Sequence, residues 1–493
     1  MNISRASYID ALILALLAIG IAIVRAQSFD EPPDWDIGTY LVVGHELNCG
    51  ERLYLDIWDS KPPAVFFTYA LAERVFGYGY GQTYWLSVLA AWVTLGGVYF
   101  AASVHGRVAG RWAAVLWACV CFEPLLGANQ PNTEVFINAG VVWALALMMR
   151  DDSGARLGRY VIIGLLFAAA SMYKQVAVAT AATVVVAHVV WPAVDRTRRV
   201  ALLQAAAVTL IGLLAWLALY SYFALTGRAW VFGQTMFVHA RWYGGNPLIN
   251  LAESFKPSQL FPAEARFLVP LVIAALLAVA LPAGDRRVRP GRLLAAAAVG
   301  THLAVAWPEK FFAHYYQLWL PVLCVAGGWG IARLGIVQAR ARWVGPAVGA
   351  AIAVCLIQPQ FSWFALRGDE WAARKHGSFY ERALRDAREI AATLKPDQTL
   401  YTWSDEAWLY FITNRRVPAV GLWKSHTLQG PLAPWLSRRT VEDLERHPPD
   451  FLIDWANLAA PGDHPIARFI QSHYRPLDDG TTRWPFVIYV RRS

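Results

Sequence analysis

Charge is what this chain has least of. Charged residues fill 16% of its 493 positions and hydrophobic ones 57%, where a soluble domain carries about a quarter charged residues. That shortage argues against a soluble globular chain. Apolar runs of about 17–25 residues recur instead, the mark of a polytopic membrane protein. Cysteine is scarce as well: Cys49, Cys119, Cys121, Cys324 and Cys355. They form no CxxC pair and no metal-ligand spacing, so they read as small packing residues. No internal repeat and no low-complexity tract is visible. The net charge of +9 does not point to nucleic acid, because the arginines lie in short clusters between apolar runs. Such clusters orient a chain in a membrane. The first apolar run lacks a clear small-residue cleavage site before Phe29 and reads as a retained span.

What is present is a series of about 11 spans, near 8–25, 83–102, 112–127, 135–149, 159–173, 176–192, 200–224, 264–282, 293–307, 317–335 and 343–361. One set of connections holds Arg107 and Arg111; Arg150, Arg156 and Arg159; Arg196, Arg198 and Arg199; Arg286, Arg287, Arg289 and Arg292; and Arg333, Arg340 and Arg342. The other set, 27–62, 128–134, 174–175, 226–262 and 308–316, is poorer in Arg and Lys. The positive-inside bias places the first set, and the N-terminus, in the cytoplasm. Residues 62–76 are apolar but too short to span, and read as a surface helix opened by Pro62-Pro63. A second such helix is expected over 37–49. From Gly368 the hydropathy falls. Phe379–Leu394 has helical spacing, and 399–403 and 451–454 read as strands. A helix is expected over Val441–Arg446 and a closing strand over Trp484–Arg491. The expected fold is mainly α: a transmembrane helical bundle over 1–361, with an external first loop at 27–62. A soluble α/β domain follows over 362–493.

Three external segments carry polar residues that membrane packing does not explain. The first loop runs Asp34-Trp35-Asp36, then Asp56-Ile57-Trp58-Asp59-Ser60-Lys61-Pro62-Pro63. The second is Asn129-Gln130-Pro131-Asn132-Thr133-Glu134. The third is Trp307-Pro308-Glu309-Lys310, continuing to His314-Tyr315-Tyr316-Gln317. Ionisable groups at membrane depth are functional candidates by default. All three lie on one predicted side and can converge. A sugar leaving a polyprenyl phosphate leaves an anion behind, and Lys61, Lys310 and His314 are the cations to hold it. The acceptor hydroxyl needs a base, and Asp36 is the first candidate, with Glu134 orienting the acceptor. Trp35, Trp58 and Tyr315 can stack on a sugar ring or prenyl chain. Each also has a plain reading. Asp36 is a helix cap, Lys61 a snorkelling lysine, Glu134 a solvated span end, His314 an interface histidine, and Lys174-Gln175 an interface turn.

These residues resemble a known family. Asp36, Tyr40, Gly50, Tyr54, Asp56 and the run Trp58–Pro63 are similar to the first external loop of the protein O-mannosyltransferase and aminoarabinose transferase group. These are membrane glycosyltransferases of the GT-C fold, which use polyprenyl-phosphate sugars. The resemblance continues at Asn132-Thr133-Glu134, at Tyr173-Lys174-Gln175 and over Phe312–Pro321. It reaches Tyr401-Thr402-Trp403-Ser404 and Leu409–Arg416, which look like the periplasmic domain of bacterial members. It implies an inverting transfer, with Asp36 as base and Lys61 on the lipid phosphate. Tyr40, Asp56, Asp59 and Tyr315 complete the expected substrate-binding set. The aminoarabinose transferases place a glutamate before the lysine; here Ser60 stands there, after Asp59. The chain has no room for the soluble insertion of the eukaryotic members.

The expectation is therefore a multi-pass glycosyltransferase of a bacterial inner membrane with a periplasmic C-terminal domain. Its partners are a polyprenyl-phosphate sugar and an envelope glycan, lipid or protein acceptor, with no nucleic acid. No cofactor is expected, and a divalent metal stays open. A polymerase or ligase of lipid-linked oligosaccharides is the nearest alternative. A flippase would place charges at mid-membrane and show repeat symmetry. An inactive homologue would need neither Asp36 nor Lys61.

Overall fold

The computed structural model describes residues 5–150, 157–281, 288–337, 343–455, 462–477 and 486–492. Arg156, Arg286, Arg287, Arg340, Arg342 and Trp484 lie outside the described residues. The chain is mainly helical, and a helix occupies each of the eleven expected span segments. Among the described residues, six helices are long and apolar enough to cross a membrane: Ala6–Ser28, Tyr80–His105, Arg198–Leu225, Ala263–Ala280, Ala313–Ile336 and Val344–Ser362. Thr133–Met149, Leu157–Tyr173 and Ala177–Val190 are apolar but shorter. A helix of that length rises about 20–26 Å, less than the roughly 30 Å of a hydrocarbon core.

The chain divides into two compact units, each assembled from separated stretches. The first comprises Met1–Phe29, Thr83–Leu219 and Gly244–Leu366. Its helices approach closely through small residues. A Cβ added at Gly328 would sit 2.5 Å from the Ala109 carbonyl oxygen and 2.7 Å from the Ala113 methyl. Close backbone approach of this kind is how helices pack where water supplies no driving force. Several arginines of the expected cytoplasmic clusters have specific work here. Arg107 and Arg111 both bind the buried Asp10, at 2.9 and 2.7 Å. Arg289 donates to the carbonyls of Trp191 and Met148, and Arg333 to those of Ala278 and Leu281. Those carbonyls lie at or just past helix C-terminal ends, where side-chain donors such as these arginines cap them.

The second unit comprises Asp30–Gln82, Tyr220–Tyr243 and Arg367–Ser493. It holds a four-stranded sheet of order β1-β2-β4-β3, with β1 Leu400–Trp403, β2 Phe451–Trp455, β3 Tyr474–Pro476 and β4 Phe486–Arg491. β1 and β2 are parallel; the helix Ala433–Arg446 lies in the connection between them. β4 pairs antiparallel with both β2 and β3. The helix Ser378–Thr393 buries Tyr380, Ala383, Leu384, Ala387 and Ile390, the three-and-four spacing of one apolar face. Two helices build the front of this unit. Trp35–Asn48 and Ala64–Phe76 are helices where the sequence reading expects them, over 37–49 and 62–76, and Pro63 is the N-cap of the second.

Candidate active site

The first of those helices decides where the carboxylates point. Asp34, not Asp36, is its N-cap: Oδ1 of Asp34 accepts the Ile37 N–H at 2.8 Å. The reading of Asp36 as a cap is thereby corrected. Asp36 sits in the first turn, where the helix dipole favours a carboxylate, and Oδ1 accepts from the Lys61 ammonium at 3.0 Å. The pair is partly exposed, 19% for Asp36 and 21% for Lys61.

Lys61 is held by its own loop. Its N–H donates to Asp59 Oδ1 at 2.8 Å, and its carbonyl accepts the Tyr54 hydroxyl at 2.7 Å. Tyr54 takes φ +70, in the left-handed region, and is fully buried. Such a backbone costs free energy unless its surroundings over-determine it. Asp59 is buried, and burial pushes its carboxyl above the ordinary range while the Lys61 charge opposes that. Tyr40 is buried among Phe66 and Tyr69, with the Lys61 ammonium 5.8 Å from its ring centre.

Two expected substrate contacts are occupied within the protein. Asp56 binds Arg52 through both oxygens, at 2.6 and 2.9 Å. Trp58 is 1% exposed and spends its indole N–H on Thr235 at 2.9 Å, so the expected stacking face is buried. Trp35 donates to Glu406 at 3.0 Å. Cys49 and Cys355 are exposed rather than packed.

Two histidines join this unit that the sequence analysis passed over. His239 ends a π-helical turn, Gln234–His239, a distortion frequent at functional sites. Its ring lies between Trp58, Trp242 and His426, at 5.3, 5.3 and 5.1 Å between ring centres. It is 1% exposed, and neither ring nitrogen has a hydrogen-bond partner among the described residues. Burial, and then Lys61, push it down to about 4. Burial, with His239 and Lys61, pushes His426 down to about 3. Both rings are neutral at neutral pH. Nothing local marks them, because 187 positions separate the two (426 − 239). Among the described residues no group of three His, Cys, Asp or Glu is arranged to hold a metal ion.

The other sequence candidates belong to the first unit. Glu134, in the first turn of Thr133–Met149, is wholly buried. Its Oε1 accepts from the Lys174 ammonium at 2.8 Å, and Oε2 accepts from the Thr133 hydroxyl at 3.0 Å. Lys174 also lies 3.4 Å from the centre of the Tyr315 ring, a close cation–π contact. His314 meets Tyr315 edge-on at 4.7 Å between ring centres. Glu134 is thus no solvated span end, and Lys174 no plain interface turn. Lys310 is exposed between two left-handed residues, Glu309 at φ +63 and Phe311 at φ +46.

Asp34 gives a pH-dependent prediction. Burial, and then the Asp36 charge, push its carboxyl from 3.8 up to about 7. The folded protein therefore keeps this proton after the unfolded chain has lost it. That stability is full below the unfolded value, is lost as pH rises, and is gone above the folded value. Asp34→Asn keeps the cap and removes the titration. The full linkage is about 4 kcal/mol, and the side chain's partial exposure halves it to about 2 kcal/mol. The variant should melt a few degrees above the parent at pH 8 and with it at pH 4. Equal melting at pH 8 refutes the assignment.

No protein-family model and no curated protein sequence matches this chain. Solved structures do. One is ArnT from Cupriavidus metallidurans in the apo state, at TM-score 0.66 and 15% identity, covering 99% of this chain and 98% of that one. The same protein bound to undecaprenyl phosphate matches at TM-score 0.64 and 15% identity, over 99% of both chains. The archaeal oligosaccharyltransferase AglB from Archaeoglobus fulgidus, in complex with an inhibitory peptide and a dolichol-phosphate, matches at TM-score 0.58 and 14% identity, covering 99% of this chain and 74% of that one. These neighbours are GT-C glycosyltransferases. The likeness at this identity is one of fold, and the fold here is theirs.

Proposed function

We propose that this protein is a membrane glycosyltransferase. It takes a sugar from a polyprenyl-phosphate donor and passes it to a cell-envelope acceptor on the periplasmic side. The observation that carries this reading is the Asp36–Lys61 pair, 3.0 Å apart at the first turn of a helix that another residue caps. The neighbours bound to undecaprenyl phosphate and dolichol-phosphate support the donor class.

The acceptor oxygen attacks the anomeric carbon from the face opposite the phosphate, so the configuration inverts. The new C–O bond forms as the anomeric carbon–phosphate oxygen bond breaks. The acceptor's proton goes to the Asp36 carboxylate, and the electron pair leaves with the phosphate. Lys61 turns from Asp36 to that phosphate and holds its charge. Asp59 and Tyr54 fix the lysine's backbone.

The test is to incubate the purified protein with a panel of polyprenyl-phosphate sugars and an envelope extract, and to measure released polyprenyl phosphate. At least one donor should turn over. Lys61→Ala should slow that release about tenfold, the size of one charge-assisted hydrogen bond, and Lys61→Arg should restore part of it. Release from no donor, or a full rate in Lys61→Ala, defeats the reading. The sidedness has its own measurement: a reporter fused after Ser493 should be active in the periplasm. Cytoplasmic activity refutes that orientation.

A further inference from the structure

A cavity of about 270 Å³ opens in the second unit away from Asp36. Its wall includes Leu47, eleven residues further along the Asp36 helix and therefore about 17 Å along the axis. Three guanidinium groups line it: Arg52, Arg74 and Arg228. Arg52 is neutralised by Asp56. The other two have no carboxylate partner among the described residues. Arg74 donates to the Asn48 side-chain oxygen at 2.7 Å. Arg228 donates to the Leu53 carbonyl at 3.1 Å and the Thr226 hydroxyl at 3.0 Å. It is 5% exposed and lies 4.7 Å from the Phe223 ring centre. Glu51, the one carboxylate on the wall, already pairs with Arg416 at 3.2 Å. A buried cation with only neutral acceptors is costly, and an anion entering beside it relieves that cost.

Part of the wall is apolar and exposed. Phe67, Leu71 and Tyr222 are all exposed, Leu71 at 63%. Arg228 stands three residues beyond Leu225, the end of a helix long enough to cross a membrane. The guanidinium groups thus share a wall with the end of that helix and with exposed apolar side chains. Basic pockets beside membrane helices recognise anionic head groups.

We propose that this cavity is a binding site for an anionic phospholipid. The phosphate sits between Arg74 and Arg228, and an acyl chain runs along Phe67, Leu71 and Tyr222. The site is independent of the proposed sugar transfer, and its failure leaves that reading untouched.

The experiment uses the full-length protein in detergent, with dioleoyl phosphatidylglycerol, dioleoyl phosphatidylcholine or inorganic phosphate added. Native mass spectrometry counts bound lipid, and thermal unfolding reads its effect. Phosphatidylglycerol should remain bound one-to-one and raise the melting temperature; phosphatidylcholine and inorganic phosphate should do neither. Arg74→Gln, at an exposed position, should weaken phosphatidylglycerol binding about tenfold, the size of one charge-assisted hydrogen bond. Leu71→Ser should weaken it as well without altering the lipid-free melting temperature. Equal retention of phosphatidylcholine overturns the proposal. So does equal stabilisation by inorganic phosphate, or unchanged binding in Arg74→Gln.

Discussion

Lys174→Met should cost roughly 3–5 kcal/mol of folding stability, although the residue lies in a two-helix turn. The reason is Glu134. Its carboxylate is wholly buried, and its ammonium partner is 2.8 Å away. Methionine fills the space but leaves the charge. The Thr133 hydroxyl at 3.0 Å and the nearby His314 offset only part of that loss. The partner change Glu134→Gln should also destabilise, since it takes that anion from the lysine. The double variant should regain most of what either single change loses, because removing both charges removes the desolvation cost along with the attraction. Thermal unfolding of the four proteins in one detergent closes the cycle. Single variants as stable as the parent would show that the pair carries no net energy. A double variant no better than the worse single one would mean that shape, and not charge, is at stake.

That pair marks the limit of what the sequence made legible. Glu134 and Lys174 were both visible as polar residues at span ends, forty positions apart. Neither hydropathy nor spacing says that two helix ends meet, so Glu134 alone read as a solvated span end and Lys174 as an interface turn. His239 and His426 are further apart still and were not singled out. The helices were legible because apolar length and three-and-four spacing are local properties. So were β1, β2, the helix Ser378–Thr393 and the end of the helix Ala433–Arg446, expected only over Val441–Arg446. β3 was not, since three residues ending in proline carry no alternation to detect. The cap shows a finer limit. Asp34 and Asp36 are equally able to cap and stand two residues apart. Which one does so depends on the backbone entering the helix, where Asp34 has ψ −177 and is extended. The exposed cysteines and the buried Trp58 are likewise matters of tertiary contact, whereas Asp56 is taken by Arg52, four residues before it.

The same cap makes the decisive test of Asp36 clean. Attack on the anomeric carbon makes the acceptor oxygen lose its proton as the bond forms. A carboxylate in hydrogen-bond reach accepts it, which contributes typically about 10²–10⁴-fold. Asp36→Asn keeps size and shape and removes charge and basicity. Because Asp34 does the capping, the change leaves the helix start intact. The amide that replaces the carboxylate can still accept from the Lys61 ammonium through its oxygen, so the lysine keeps a partner. The pair is partly exposed, so its loss costs the fold about 1 kcal/mol or less. The variant should therefore insert, melt close to the parent and bind donor lipid, yet transfer sugar at least roughly a hundredfold more slowly. Saturating donor isolates the chemical step, and a fall in turnover with unchanged donor affinity is the signature of a lost base. Asp36→Glu moves the carboxylate by one methylene and should recover part of the rate, which a purely structural role would not predict. Full turnover in folded Asp36→Asn protein would remove Asp36 from the chemistry and leave Asp59 as the next carboxylate of that loop to test.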